Sequence, residues 1–97
     1  MAVIKMAKIK LVTFARIKQI IGRKQMELEA DTVEDLLEKL LKEYGYTLKN
    51  ELFDDNGKLK HTYRVVVNGR NINLLDGFKT KLKKDDMVVI MPAVAGG

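Results

Sequence analysis

Side chains that ordinarily carry catalysis are scarce in this chain. Its 97 residues include one histidine, no cysteine and no serine. His61 therefore has no second histidine or thiolate with which to hold a metal, and no serine to activate, so it reads as a solvated residue beside a turn. A phosphate-binding P-loop is excluded at Gly57-Lys58, because Leu52 stands at the first glycine position and Leu59 at the hydroxyl position. The run Asp54-Asp55-Asn56-Gly57 has the look of a calcium loop but lacks the bidentate glutamate downstream, and it reads as a turn. Asp85 and Asp86 read as the solvated start of a strand, and Lys81, Lys83 and Lys84 as a solvated face. No autonomous active site emerges, and no metal ligand set.

What remains is the run "MPAVAGG" at 91–97. Two glycines do not stabilise a fold, since glycine has the most backbone freedom to lose. Their use must lie elsewhere. The functional group on offer is the α-carboxylate of Gly97, ionised and unreactive at neutral pH. Activated by another enzyme as an acyl-adenylate, it becomes an electrophile open to sulfide, a thiol or an amine. An activating enzyme has to thread the tail through a narrow channel, and a Cβ at Gly96 or Gly97 would obstruct it. Ordering such a tail costs roughly 1–2 kcal/mol per residue, so the body of the domain must dock to offset that cost.

Elements must position this tail. Ninety-seven residues with 46% hydrophobic and 32% charged content fit one globular domain, 1–97, with 93–97 as its tail. No apolar run approaches the ~20 residues of a membrane span, and no secretory leader is evident, so a cytoplasmic location is expected. The net charge of +5 allows a nucleic-acid partner in principle, but the lysines are dispersed and aromatics few.

"KIKLVTFA" at 8–15 reads as a first strand, followed by one or two helical turns carrying Ile17, Ile20 and Ile21 and stopped by Gly22. "KQMELEA" at 24–30 alternates as a second strand. The helix is predicted over 31–45. There Val33, Leu36, Leu37, Leu40, Leu41 and Tyr44 form one apolar stripe, Asp31 or Thr32 can cap it, and Gly45 is placed to end it. "YRVVVNGR" at 63–70 carries an Asn-Gly hairpin signal, and a second turn falls at Asp76-Gly77. "MVVIMP" at 87–92 is the final strand. A mixed sheet of four or five strands with one long helix across it is the economical solution, with Leu36, Leu37, Leu40 and Leu41 facing Val12, Val66, Val88 and Ile90.

The final strand is apolar at both parities, with Val88 and Ile90 on one and Met87, Val89 and Met91 on the other. Either segment 46–62 covers the second face, or a partner does. On the second reading Phe14, Val89, Met91 and Pro92 are docking residues, and Val94, Ala95 and Gly96 are recognised with the tail. Pro92 is expected to end strand pairing. Segment 79–84 is expected beside the path of the tail, where its lysines would steer an acidic partner.

"KIKLVTFARIKQIIG", "ADTVEDLLEKLLKEYG", "VVVNG" and "DDMVVIMPAVAGG" together resemble the small subunit of molybdopterin synthase, over about 8–97. The chain departs from that pattern where the family often has aromatic residues and a second proline before the tail. Here Ile90-Met91 and Pro92-Ala93 stand instead. The resemblance implies an α+β, ubiquitin-like β-grasp sulfur carrier. It further implies that Gly97 is adenylated by an enzyme of the ubiquitin-activating kind, using ATP, and converted to a thiocarboxylate. The tail then enters the large synthase subunit, where its sulfur builds the dithiolene of the molybdenum or tungsten pterin. No cofactor need stay on the chain, which would not be catalytic alone. The same carboxylate could instead be joined to target-protein lysines, as in ubiquitin-like modifiers. A basic β-grasp module that binds RNA is a third reading, and it leaves the glycines unexplained.

Overall fold

The structure, a computed structural model, describes residues 7–93. Strand β1 (Ala7–Thr13) buries Ile9, Leu11 and Thr13 and exposes Lys8 and Lys10. The buried Thr13 hydroxyl donates to the Arg23 carbonyl at 2.6 Å, so its polar atom is satisfied. Ala15 then turns the chain with φ 53°, a region a residue with a Cβ seldom occupies. Helix α1 (Ala15–Ile21) buries Ile17 and Ile21, and Gly22 closes it at φ 82° in the left-handed region, its N–H on the Lys18 carbonyl. This matches the predicted helical turns and stop. Strand β2 (Gln25–Ala30) returns antiparallel to β1.

Helix α2 (Val33–Leu52) is capped by Thr32, whose hydroxyl accepts from the Asp35 N–H at 3.1 Å. Asp35 in turn accepts from the Asp31 N–H at 3.0 Å, so two otherwise orphaned donors are met. Gly45 does take positive φ (70°), but with ψ −150°. That is not the left-handed cap, and the chain kinks and resumes helix to Leu52. Leu48 and Leu52, one turn apart, are fully buried in the core with the stripe residues Val33, Leu36, Leu37 and Leu40. Segment 46–62 therefore contributes helix and core on the helix side, and the expectation that it covers the second sheet face is overturned.

Strand β3 (Tyr63–Val67) turns at Asn68 (φ 50°) and Gly69 (φ 86°) into β4 (Arg70–Asn71). Two consecutive positive φ values fit the hairpin turn expected from Asn-Gly. Single 3-10 turns at Ile72–Leu74 and Gly77–Lys79 lead to β5 (Met87–Pro92). The five strands lie in the order β2-β1-β5-β3-β4. β5 is the central strand, parallel to β1 and antiparallel to β3.

Register decides which side chains share a face. Leu11 pairs with Val88 and Thr13 with Ile90, while Val65 pairs with Ile90 and Val67 with Val88. All of these are buried in the core with α2. Val12 and Val66 each pair with Val89, on the opposite face. Val88 and Ile90 thus meet the helix side as expected. Val12 and Val66 do not, because their parity in the strand is the other one.

Candidate functional site

The face of the sheet away from α2 carries a row of apolar side chains at its centre. Val12, Val89 and Val66 are register neighbours across β1, β5 and β3, and Met91 pairs with Arg64 beside them. Each of Val12, Val66, Val89 and Met91 is half-buried, and none belongs to the helix-side core. Met87, on the same parity, is 41% exposed. Phe14 is extended, lies two residues beyond Val12, and is 38% exposed. The Lys24 amine sits 5.6 Å from its ring centroid. Lys8, Lys10 and Arg64 surround the row as exposed cations. Their register with Glu29, Glu27 and Met91 puts them on the same face.

Phe14, Val89 and Met91 are thus gathered on one surface. Pro92 is not among them. It pairs with Tyr63 and follows the parity of Val88 and Ile90, toward α2. Pairing also continues past Pro92, since the Ala93 N–H donates to the Thr62 carbonyl at 2.8 Å. Proline lacks a donor, but its position in the ladder is one from which no β3 acceptor needs serving. Val94, Ala95, Gly96 and Gly97 lie outside the described residues.

Beneath the end of β5, Tyr63 is almost fully buried and its hydroxyl donates to Glu51 near the end of α2. Arg16 of α1 reaches the same carboxylate at 3.4 Å. Burial, and then the Glu51 carboxylate, push the Tyr63 hydroxyl up to about 12. Three elements, α1, α2 and β3, are therefore tied together beside the last residues of β5. This link was not legible in the sequence, where Arg16, Glu51 and Tyr63 are widely separated.

At the other end of β5 the sequence reading needs correction. The Val33 and Leu82 N–H groups donate to the Thr80 and Asp31 carbonyls at 3.0 and 2.9 Å, and Lys81 bridges Thr32. Segment 79–84 is thereby fixed to the start of α2, near the first residue of β5. Six residues of strand separate it from the tail, roughly 20 Å at about 3.3 Å per residue. Asp86 does more than open the strand. Its carboxylate accepts from Asn68 Nδ2 and from the Lys83 N–H, both at 2.8 Å, joining the β3–β4 turn to β5.

The remaining candidates are structural in geometry. The Asp54 carboxylate accepts from the Asn56 and Lys58 N–H groups at 2.9 and 3.0 Å. The Lys58 N–H in particular holds it below the usual carboxylate range, as hydrogen bonding to the charged form does. This is the turn expected at 54–57. His61 is exposed. Among the described residues, no three His, Cys, Asp or Glu side chains converge as a metal site, and no helix is long and apolar enough to cross a membrane.

A mixed five-stranded sheet with its long helix across one face, and a central last strand delivering the chain end, defines a ubiquitin-like β-grasp domain. The chain belongs to the ThiS family, which it matches over residues 11–97. It is 38% identical over 87 residues to small archaeal modifier protein 3 of Haloferax volcanii, covering 87% of this chain and 92% of that protein. A chain of Archaeoglobus fulgidus provisionally designated a sulfur carrier protein is 34% identical over 84 residues, covering 84% and 94%. In three dimensions the fold matches small archaeal modifier protein 1 of Methanosarcina acetivorans with a TM-score of 0.79 and 33% identity, over 95% of this chain and 98% of that one. It also matches a Pyrococcus furiosus chain provisionally assigned as molybdopterin converting factor subunit 1, with a TM-score of 0.70 and 27% identity, over 91% and 99%. Sulfur carriers and ubiquitin-like modifiers are thus both among its relatives.

Proposed function

We propose that the chain is a sulfur carrier whose working group is the Gly97 carboxylate. The observation that carries this reading is the placement of β5. It is the central strand, its last residues lead directly into the 94–97 segment, and it carries a half-buried apolar row on the face away from α2. An adenylating enzyme of the ubiquitin-activating kind docks on that row. The Gly97 carboxylate attacks the α-phosphorus of ATP, forming the acyl-adenylate and releasing pyrophosphate. Sulfide, or a sulfur donor equivalent to it, then displaces AMP and leaves the thiocarboxylate. The large subunit of molybdopterin synthase accepts the tail, the sulfur bonds to the pterin precursor, and water cleaves the acyl–sulfur bond to restore the Gly97 carboxylate; two carriers in turn supply the two sulfurs of the dithiolene. The chain itself supplies presentation and docking. ATP belongs to the activating enzyme, and the setting is the cytoplasm.

A second reading has a specific observation in its favour, the 38% identity to an archaeal modifier protein. There the same adenylate meets a lysine amine of a target protein, and an isopeptide bond forms as AMP leaves. Both readings need the same carboxylate at the same reach. Removing Gly97, or adding one alanine after it, shifts the end by about 3.3–3.6 Å, more than attack at an acyl carbon tolerates. Both variants are expected to lose dithiolene formation in an assay with activating enzyme, ATP, sulfide, large subunit and precursor pterin, with melting unchanged. Parental rates from the truncated chain would sink both readings. Intact mass separates them: +16 Da marks the thiocarboxylate, and a ladder of larger species marks conjugation.

A further inference from the structure

β2 is one of the two edge strands of the described sheet, and its outward edge has no strand partner there. The Thr13 N–H donates to the Lys24 carbonyl at 2.7 Å, which makes 13 and 24 a hydrogen-bonded pair. In the observed register the next such pairs are Leu11 with Met26 and Ile9 with Leu28. Gln25, Glu27 and Glu29 therefore turn their N–H and C=O groups away from β1. The Glu29 carbonyl agrees with this geometry, since Lys39 of α2 reaches it from outside the sheet. Alongside the edge runs a groove of about 260 Å³ between β2 and α2. Met26, Leu28, Leu40 and Tyr44 form its apolar lining.

We propose that this edge takes up an extended segment of a partner protein in which apolar residues alternate with lysine or arginine. The segment pairs with Gln25, Glu27 and Glu29 as a sixth strand, displacing the Lys39 amine from the Glu29 carbonyl. Alternate side chains of an added strand face opposite sides of the sheet. One set enters the groove against Met26, Leu28 and Tyr44. The other lies beside Glu27 and Glu29, which are exposed on the far face. Those two carboxylates are already flanked across β1 by Lys10 and Lys8. A basic residue on the open side completes an alternation of sign across three strands, and an acidic one would set like charges side by side. The same charges argue against a second copy of this chain. Antiparallel self-pairing through the outward groups of Gln25, Glu27 and Glu29 sets Glu27 against Glu27 or against Glu29 in its longest registers. The site shares no residue with the row at Val89.

The probe is a synthetic capped heptapeptide alternating lysine and valine, titrated into the full-length chain and followed by amide chemical shifts and hydrogen exchange. A glutamate–valine peptide and a peptide with the lysines and valines in two separate blocks serve as comparisons. The alternating basic peptide should shift and protect Gln25, Glu27 and Glu29, and the other two should bind at least tenfold more weakly. Glu27→Lys combined with Glu29→Lys, both exposed positions, should reverse the preference toward the glutamate–valine peptide, with melting lowered only modestly because lysines then face Lys10 and Lys8. Equal binding of the blocked peptide, shifts confined to other strands, or no saturation at millimolar peptide would overturn the proposal. Concentration-dependent shifts at 25–29 without peptide would overturn it in favour of self-association.

Discussion

Met91 illustrates how one residue type serves two roles according to parity. Val88 and Ile90, its neighbours in alternation, are fully buried against α2, whereas Met91 is half-buried outside that core. Met91→Asp is therefore expected to leave melting nearly unchanged and to weaken association with the large synthase subunit at least tenfold, measured by calorimetry. Equal affinities for the variant and the parent would remove this row from the docking surface. Tyr63 yields a prediction in pH. Its hydroxyl rises to about 12 in the fold, against ~10 in an unfolded chain. Between those values the unfolded state has released the proton and the folded state retains it, so stability falls as pH rises and is flat below ~10. The stability difference between the parent and Tyr63→Phe should narrow from pH 10 to 12 in denaturant titrations. A constant difference would mean that Glu51 and burial do not hold the proton there. Phe14, Val89 and Met91 were legible as docking candidates from apolar residues on the parity opposite Val88 and Ile90. Pro92 was assigned with them, but the register sends it to the other face.

Among the elements, α2 was the most legible and also the most incompletely read. Its stripe through Leu40 follows from spacing alone, and Leu40 is fully buried. Leu40→Ala should cost about 2–5 kcal/mol in denaturant unfolding, and a loss below about 1 kcal/mol would mean the helix packs elsewhere. Gly45 marked a break correctly, but a local signal cannot say whether a chain turns away or resumes. Here it resumes, because Leu48 and Leu52 find room in the same core as Leu36 and Leu40. The conformation at Gly45, φ 70° and ψ −150°, is open to glycine and hostile to residues with a Cβ. Gly45→Ala is expected to cost on the order of 1–3 kcal/mol, although nothing lies within 4 Å of the added Cβ. An unchanged midpoint would show that the kink relaxes without strain.

For the whole molecule, the path of β5 sorts the charges into two ends. Lys81 and Lys83 lie at its start, while Arg23 and Lys24 lie beside Thr13 at the end from which the tail departs. With roughly 20 Å between the ends and a screening length near 8 Å at physiological salt, a charge at one end has little influence at the other. Charge reversal at Arg23 and Lys24 should slow association with an acidic tail-binding partner at low salt, and reversal at Lys81 and Lys83 should not. Stopped-flow rates across ionic strength would decide, and the opposite ranking would place the partner at the far end. The strand alternation, the α2 stripe and cap, the Asn68-Gly69 hairpin and the terminal glycines were all determined by sequence, because each depends on residues within one element or one turn. Tertiary structure decided the rest: which face of β5 is covered, where segment 46–62 packs, how Tyr63, Glu51 and Arg16 meet, and how far segment 79–84 lies from the tail. Those outcomes depend on strand order and register, which pairing between distant segments sets and which no local pattern encodes.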